Sequence, residues 1–296
     1  VATGSTAEVE GVVVEGAGTQ GVLIHGSSAQ VVDSLVTESG LFGVAFDCSG
    51  GCSGPGSEIT GCQISKNNGL GLVVLGGKIT AKNNTVGLTA YKAGFARNVQ
   101  LQYGAEVFLE GNTVHGSKAQ GIVVDKCTGT LLKNQVQANE ERGVVLQHVN
   151  SLTLEENDLD GNERSGITTL FCKAVTIKSG RVANTKKRAV IVESKSGMVG
   201  DGVQVLAESV VSISGLKVEG NGRVGVLIDD AKATVADTSI SGGDDALVVQ
   251  NAKLADQQIT NVTDSSGKGL NAVDSTANPY INNPTELVST LPLPLP

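Results

Sequence analysis

Adjacent carboxylates are the first residues in this sequence that could do chemistry. Asp229 and Asp230 close the run NGRVGVLIDD, and Asp244 and Asp245 stand in SISGGDDALVV. Paired carboxylates are what an inverting glycoside hydrolysis requires, one as acid and one as water-activating base. Asp229, Asp230 and Asp244 could also supply the several oxygen ligands that a hard cation such as calcium needs. The competing reading is an ordinary Gly-Gly-Asp-Asp turn beside a solvated face. The histidines, His25, His115 and His148, are far apart in the chain and have no Ser or Cys at a recognised triad spacing. No Gly-rich phosphate loop precedes a helix-forming segment.

The cysteines divide into two groups. Cys48 and Cys52 lie in the Gly-rich stretch DCSGGCSG, and Cys62 follows. A small disulfide loop within this group is expected, with its pairing left open, and it favours an extracellular setting. Cys127 and Cys172 fall at the same repeat position two repeats apart, too far for a disulfide, and read as small buried hydrophobes.

The elements that must position these groups are written in a repeat. Residues 121–142 read GIVVDKCTGTLLKNQVQANEER, and GVVLQHVNSLTLEENDLDGNERS follows directly. A leading Gly recurs at Gly21, Gly43, Gly71, Gly94, Gly121, Gly143, Gly166, Gly202, Gly225 and Gly269, with Ala189 and Ala246 in equivalent places. The short step from Ala189 to Gly202 suggests an insertion in one turn, SKSGMVGDG. Apolar runs are short and alternate, which excludes helical repeats, and the period is too short for propeller blades. A unit of about 22–23 residues fits one coil of a parallel β-helix, in which each strand pairs with its counterpart one coil on. The fold class predicted is therefore all-β: a single-domain right-handed parallel β-helix of about 12 coils over residues 1–276. A Pro-rich tail or linker follows over 277–296, as an extended segment or a strand laid over the last coil.

Faces follow from alternation. The first and third residues after each leading Gly point inward, as in Ile122 and Val124 or Val226 and Ile228. The Gly94 coil breaks this rule, because Arg97 would fall inside. Asn112, Asn139, Asn162 and Asn221 recur near coil ends, where Asn tolerates left-handed backbone and can bond to Asn in the next coil. The outward column four residues after each Gly reads His25, Asp47, Leu75, Asn98, Asp125, Gln147, Leu170, Glu193, Leu206, Asp229 and Gln250. The outward residue two after each Gly is often apolar: Leu23, Val73, Val123, Val145, Ile191, Leu227 and Val248. That stripe is either a surface that something covers or plain strand propensity.

These features resemble the right-handed parallel β-helix superfamily of pectate lyases, polygalacturonases, mannuronan epimerases and phage tailspikes. The segment around Asp244 and Asp245 is similar to the Gly-Asp-Asp segment of polygalacturonases, which implies acid and base roles for the pair. The companion segments of that family are replaced here by GNGRV, with Arg223, and by SSGKGL, with Lys268. The Arg-x-Pro-x-x-Arg segment of the lyases and the Asp-Pro-His-Asp segment of the epimerases are absent from the sequence.

Composition narrows the function. The 296 residues carry a formal charge of −8, 40% apolar residues, 3% aromatics and no Trp. Net negative charge argues against nucleic acid as a partner. No apolar run approaches the roughly 20 residues that span a bilayer. Scarce aromatics leave few faces for stacking sugar rings. The reading is a non-catalytic extracellular module with a surface, adhesion or scaffold role. Its apolar stripe would meet a protein partner, a second copy or a polysaccharide. The alternative is a carbohydrate-active enzyme, a hydrolase or lyase, using Asp244, Asp245, Asp229 and Asp230. No cofactor is expected beyond calcium.

Overall fold

The alternating runs form strands whose inward side chains build one continuous interior. The computed structural model describes residues 6–52, 54–90, 96–192, 195–265, 267 and 270–272. Successive strands wind through three parallel sheets in strict rotation. The first sheet runs from Thr6–Glu10 to Gln258–Thr260, the second from Val13–Glu15 to Thr263–Asp264, and the third from Gln20–His25 to Leu270–Ala272. The winding is right-handed and makes about eleven turns, in a single domain. At a strand spacing of ~4.8 Å the rod is about 50 Å long. The predicted tail over 277–296 lies outside the described residues.

Register is carried from turn to turn by mostly aliphatic residues stacked on one another. Ile122 pairs with Val144 and Val144 with Ile167; Val124 pairs with Leu146 and Leu146 with Thr169. The inward residues Ile24, Ile122, Val124, Val144, Leu146, Val226 and Ile228 belong to one core cluster, with Val22 packed against its end. The leading Gly is required by close approach. A Cβ on Gly143 would stand 2.7 Å from the Gly166 carbonyl oxygen and 2.8 Å from Asn162 Nδ2. No L side chain fits there without moving backbone.

The chain turns most corners through one left-handed residue, and some through two, such as Ser179 and Gly180. Between the first and second sheets these include Asn83, Lys133, Glu156 and Asp237; between the second and third they include Lys66, Leu88, Ala138 and Asn184. The residue after it points inward and is often Asn. Two ladders result. Asn84 Nδ2 donates to Asn112 Oδ1, Asn112 to Asn134, and Asn134 to Asn157, at 2.9–3.0 Å. At the second corner, Asn139 Nδ2 donates to Asn162 Oδ1 at 2.8 Å, while Asn67 and Asn221 each accept from a neighbouring backbone N–H. Each ladder also satisfies backbone amides that would otherwise be buried without partners.

Two details of the predicted repeat change. Arg97 pairs with Leu70 and Gln120, which puts Asn98 where other turns have Gly; Gly94 lies outside the described residues. Asn98 fits because the neighbouring corner holds Thr89 and Ser117 instead of Asn. Its side chain fills the gap, accepting from Thr89 Oγ1 at 2.9 Å and donating to Asn139 Oδ1 at 3.0 Å. Ala189 does not open a coil. Arg188–Val192 pairs antiparallel with the start of Lys195–Leu206, forming a hairpin arm that leads into the third sheet at Gly202. Its alternation imitates a coil strand, which is why the repeat reads as twelve coils.

Candidate functional site

The structure separates the two carboxylate pairs. Val224–Asp229 and Asp245–Gln250 are neighbouring strands of the third sheet, with Val224 opposite Asp245 and Asp229 opposite Gln250. Asp229 and Asp245 therefore lie at opposite ends of their strands, about 16 Å apart along the strand direction. Asp229 is buried and accepts from Gln250 Nε2 at 2.7 Å and Asn251 Nδ2 at 2.6 Å. Asp230 is exposed on the next corner. Burial, then Asp229 and Glu208, raise its carboxyl above the ordinary value. It lines an open cleft of about 430 Å³ with Glu208, Lys232, Lys253 and Asp256. Asp244 is exposed and receives Lys187 Nζ at 2.7 Å. Asp229 and Asp230 are not brought to Asp244 or Asp245, and no group of three or more metal-ligating side chains forms among the described residues.

The histidines find carboxylates. His25 Nδ1 lies 3.1 Å from Asp47 Oδ2, and His148 Nδ1 lies 3.1 Å from Asp125 Oδ1. Ser49 Oγ donates to Asp47 Oδ1 at 2.6 Å, so that carboxylate stands between the Ser and the His. That order cannot activate a serine nucleophile. His148 also stacks on Phe171, with ring centroids 5.4 Å apart.

Cys48 and Cys52 form the disulfide, while Cys62, Cys127 and Cys172 are buried free thiols. Burial pushes the Cys127 thiol up to about 12 and raises Cys62 and Cys172 as well. None is poised as a nucleophile.

One surface differs from the rest of the rod. Apart from the buried Ser28 and Ala183, the outward side chains of the first two sheets are exposed or half-buried. They pair along the ladder: Lys78 with Glu106, Lys178 with Glu155, and Arg181 with Asp158 and Asp160. On the third sheet the outward side chains are buried. Val73, Val145, Leu227 and Val248 are 0% exposed and Val123 is 1% exposed, whereas Leu23 on the first turn is 41% exposed. Ile191 belongs to the hairpin arm and not to this column. The four-after-Gly column is also real, with Gln102 in the place expected for Asn98. Glu193 lies outside the described residues.

The sequence reading missed a third outward column, the residue just before each leading Gly. It runs Gln20, Phe42, Leu70, Arg97, Gln120, Arg142, then Ser165, Asp201, Val224 and Asp245. The signal was present, because Gln120, Arg142 and Asp201 stand one residue before Gly121, Gly143 and Gly202. With its neighbours, this column sets a polar band beside apolar side chains on one face. Phe42, Ala45, Leu70, Val73 and Leu75 form one apolar patch; a second runs from Val123 and Val145 through Leu170 and Leu206 to Val224, Leu227 and Val248. In the band, Arg97 donates to Gln100 and Gln120, and Asp201 accepts from Gln204 and from Arg223 Nε at 2.7 Å. Arg142 is 1% exposed, and its Nε and Nη1 find no partner among the described residues. Burial, then the neighbouring Arg164, pull its guanidinium down to about 10.

Known structures share this architecture. The periplasmic alginate epimerase AlgG matches at 14% identity and TM-score 0.58, over 88% of this chain and 60% of its own. The AlgE6 A-module, a mannuronan C-5 epimerase of Azotobacter vinelandii, matches at 14% identity and TM-score 0.53, over 92% and 81%. The Dettilon tailspike protein matches at 14% identity and TM-score 0.53, over 87% and 60%. The chain thus spans less than two thirds of the first epimerase and of the tailspike, and at such identity the likeness is one of fold. No curated protein matches the sequence. The profile of the right-handed beta helix region matches residues 1–182, more than half of the chain. With three parallel sheets wound in rotation, the chain belongs to the right-handed β-helix family.

Proposed function

We propose that this chain is a non-catalytic extracellular β-helix module, of the surface, adhesion or scaffold kind, that works through the outer face of its third sheet. The carrying observation is the contrast between faces. The outward residues of the first two sheets are mostly exposed or half-buried and many are charge-paired, whereas on the third sheet the outward side chains of apolar patches and of an arginine- and amide-rich band are buried. Contiguous apolar surface of this kind marks contact sites. The Cys48–Cys52 disulfide supports an oxidising, extracellular setting. Asp229 and Asp230 lie away from Asp245, an arrangement that favours this reading over an acid–base role shared by the four carboxylates.

A test uses the full chain on an array of polysaccharides and purified surface proteins. Any bound partner is then challenged with Thr168→Arg on the third sheet and Thr176→Arg on the first. The third-sheet change should weaken binding at least tenfold and the first-sheet change should not; the reverse order overturns the assignment. A second reading, a carbohydrate-active enzyme, is favoured by the buried polar band, whose Arg142 donors suit a hydroxyl- or carboxylate-rich chain. It predicts new reducing ends or unsaturated products from a polysaccharide panel, lost in Asp245→Asn.

A further inference from the structure

We propose that Arg142 and Arg164 form a binding site for an oxyanion, a carboxylate or a sulfate group, at the polar band of the third sheet. The inference names the ligand chemistry of the face described above and rests on that reading, but its test uses no partner. Arg142 stands in the column just before the leading glycines and pairs with Ser165 on the next strand. Arg164 immediately precedes Ser165, so two guanidinium side chains start from neighbouring strands. Arg142 Nε and Nη1 and Arg164 Nε are buried without partners among the described residues.

The acceptors beside them are engaged elsewhere. Glu141 accepts from Gln120 Nε2 at 2.6 Å and pairs with Arg164 Nη1 at 3.4 Å. Asp201 accepts from Arg223 Nε, from Gln204 Nε2 and from the Val224 backbone N–H. Ser165 Oγ and Thr168 Oγ1 bond to each other, and Thr168 Oγ1 donates to Gln204 Oε1 at 3.0 Å. Three guanidiniums, Arg97, Arg142 and Arg223, are buried along this edge of the sheet, and Asp201 is the one buried carboxylate beside them among the described residues. A chain of net charge −8 therefore buries an excess of positive charge at one place.

That excess selects the ligand. A buried guanidinium without a counter-ion carries a large desolvation cost. Burial, then Arg164, pull the Arg142 guanidinium down, the direction an uncompensated cation takes. A bound oxyanion answers both causes: it supplies acceptors to the open N–H groups and screens the two arginines from each other. A neutral hydroxyl would accept the hydrogen bonds but leave the charge standing, so the site favours anions over neutral sugars. Arginine is the side chain best matched to carboxylate and sulfate oxygens, and charge-assisted bonds gain strength away from water.

Equilibrium dialysis of the full chain against labelled sulfate, labelled glucuronate and labelled glucose, all in one chloride background, reads the site. Sulfate or glucuronate should bind saturably at one site per chain, and the tighter of the two names the source of the anion; glucose should not bind. Arg142→Met keeps a long apolar stem and removes the charge. It should weaken anion binding at least tenfold, whereas Lys78→Met on the first sheet should leave it unchanged. In buffer free of oxyanions, Arg142→Met should also raise the melting temperature, because it removes an uncompensated buried charge. Should Arg142→Met fail to fold, Arg142→Lys keeps the charge but not the fork of donors, and should weaken binding several-fold. Absence of saturable binding by both anions overturns the site, as does equal binding by Arg142→Met or by glucose. A lowered melting temperature in a folded Arg142→Met overturns it too, since the guanidinium would then have a partner within the protein. Anion binding that persists where no surface partner is found counts against the proposed function and not against the site.

Discussion

Asn134→Ala removes the middle rung of the first Asn ladder. Asn134 Nδ2 donates to Leu109 O and to Asn157 Oδ1, each at 3.0 Å, and its Oδ1 accepts from Asn112 N at 3.0 Å and Asn112 Nδ2 at 2.9 Å. Two partners keep a second bond: Asn157 Oδ1 still accepts from the Asn134 backbone, and Asn112 Nδ2 still donates to Ala81 O. The Asn112 backbone N–H keeps nothing. A buried unsatisfied donor costs about 1–3 kcal/mol, and the remaining lost bonds about 0.5–1 kcal/mol each. The three remaining bonds bring the expected loss to about 2.5–6 kcal/mol. Gln135→Ala, the exposed neighbour, should stay within about 0.5 kcal/mol. Urea unfolding followed by two optical probes measures both, with the slope checked because solenoids can depart from two-state behaviour. Asn134→Asp should be no better, since it turns a donor into a second acceptor facing Leu109 O. A loss below about 1 kcal/mol for Asn134→Ala would refute the claim that the ladder holds the corners.

Other outcomes follow from the same geometry. Cys62, Cys127 and Cys172 should be silent to a thiol reagent in the native protein and all react in denaturant, while Cys48 and Cys52 react only after reduction. Arg181→Met should be destabilising near neutral pH by about 0.5–1 kcal/mol, the scale of a part-exposed ion-pair network. Burial pushes Asp160 up, but hydrogen bonds from Asn184 and Arg181 outweigh it and hold the carboxyl below its ordinary value. A lowered carboxylate contributes stability above its unfolded value, near pH 4, and loses it as pH falls through the folded value. The deficit of Arg181→Met should accordingly shrink below about pH 4, read as a narrowing gap between the two melting curves.

The fold was legible because its cause is local and repeated. A Gly that no side chain can replace, two inward apolar residues and a left-handed corner recur in almost every turn. The exceptions come from compensation across turns. Asn98 stands in a Gly position because Thr89 and Ser117 vacate the corner beside it, and no single repeat records that exchange. The arm Arg188–Val192 alternates like a coil strand yet pairs antiparallel. The distance between the two carboxylate pairs was hidden for a related reason. Asp229 and Asp244 look like neighbours one turn apart, but register sets Asp229 against Gln250 and so places the pairs at opposite strand ends. The apolar stripe was visible, whereas the polar band was hidden in the residues just before each glycine.

The most direct measurement compares outward substitutions on two sheets. Val145→Lys and Leu227→Lys on the third sheet are set against Thr130→Lys and Thr234→Lys on the first, with the unfolding free energy of the full chain as readout. If the third-sheet face is a covered, apolar contact surface, its two variants lose several kcal/mol, as an unpaired buried charge does, while the first-sheet variants stay within about 0.5 kcal/mol. Equal, small losses on both sheets would contradict it.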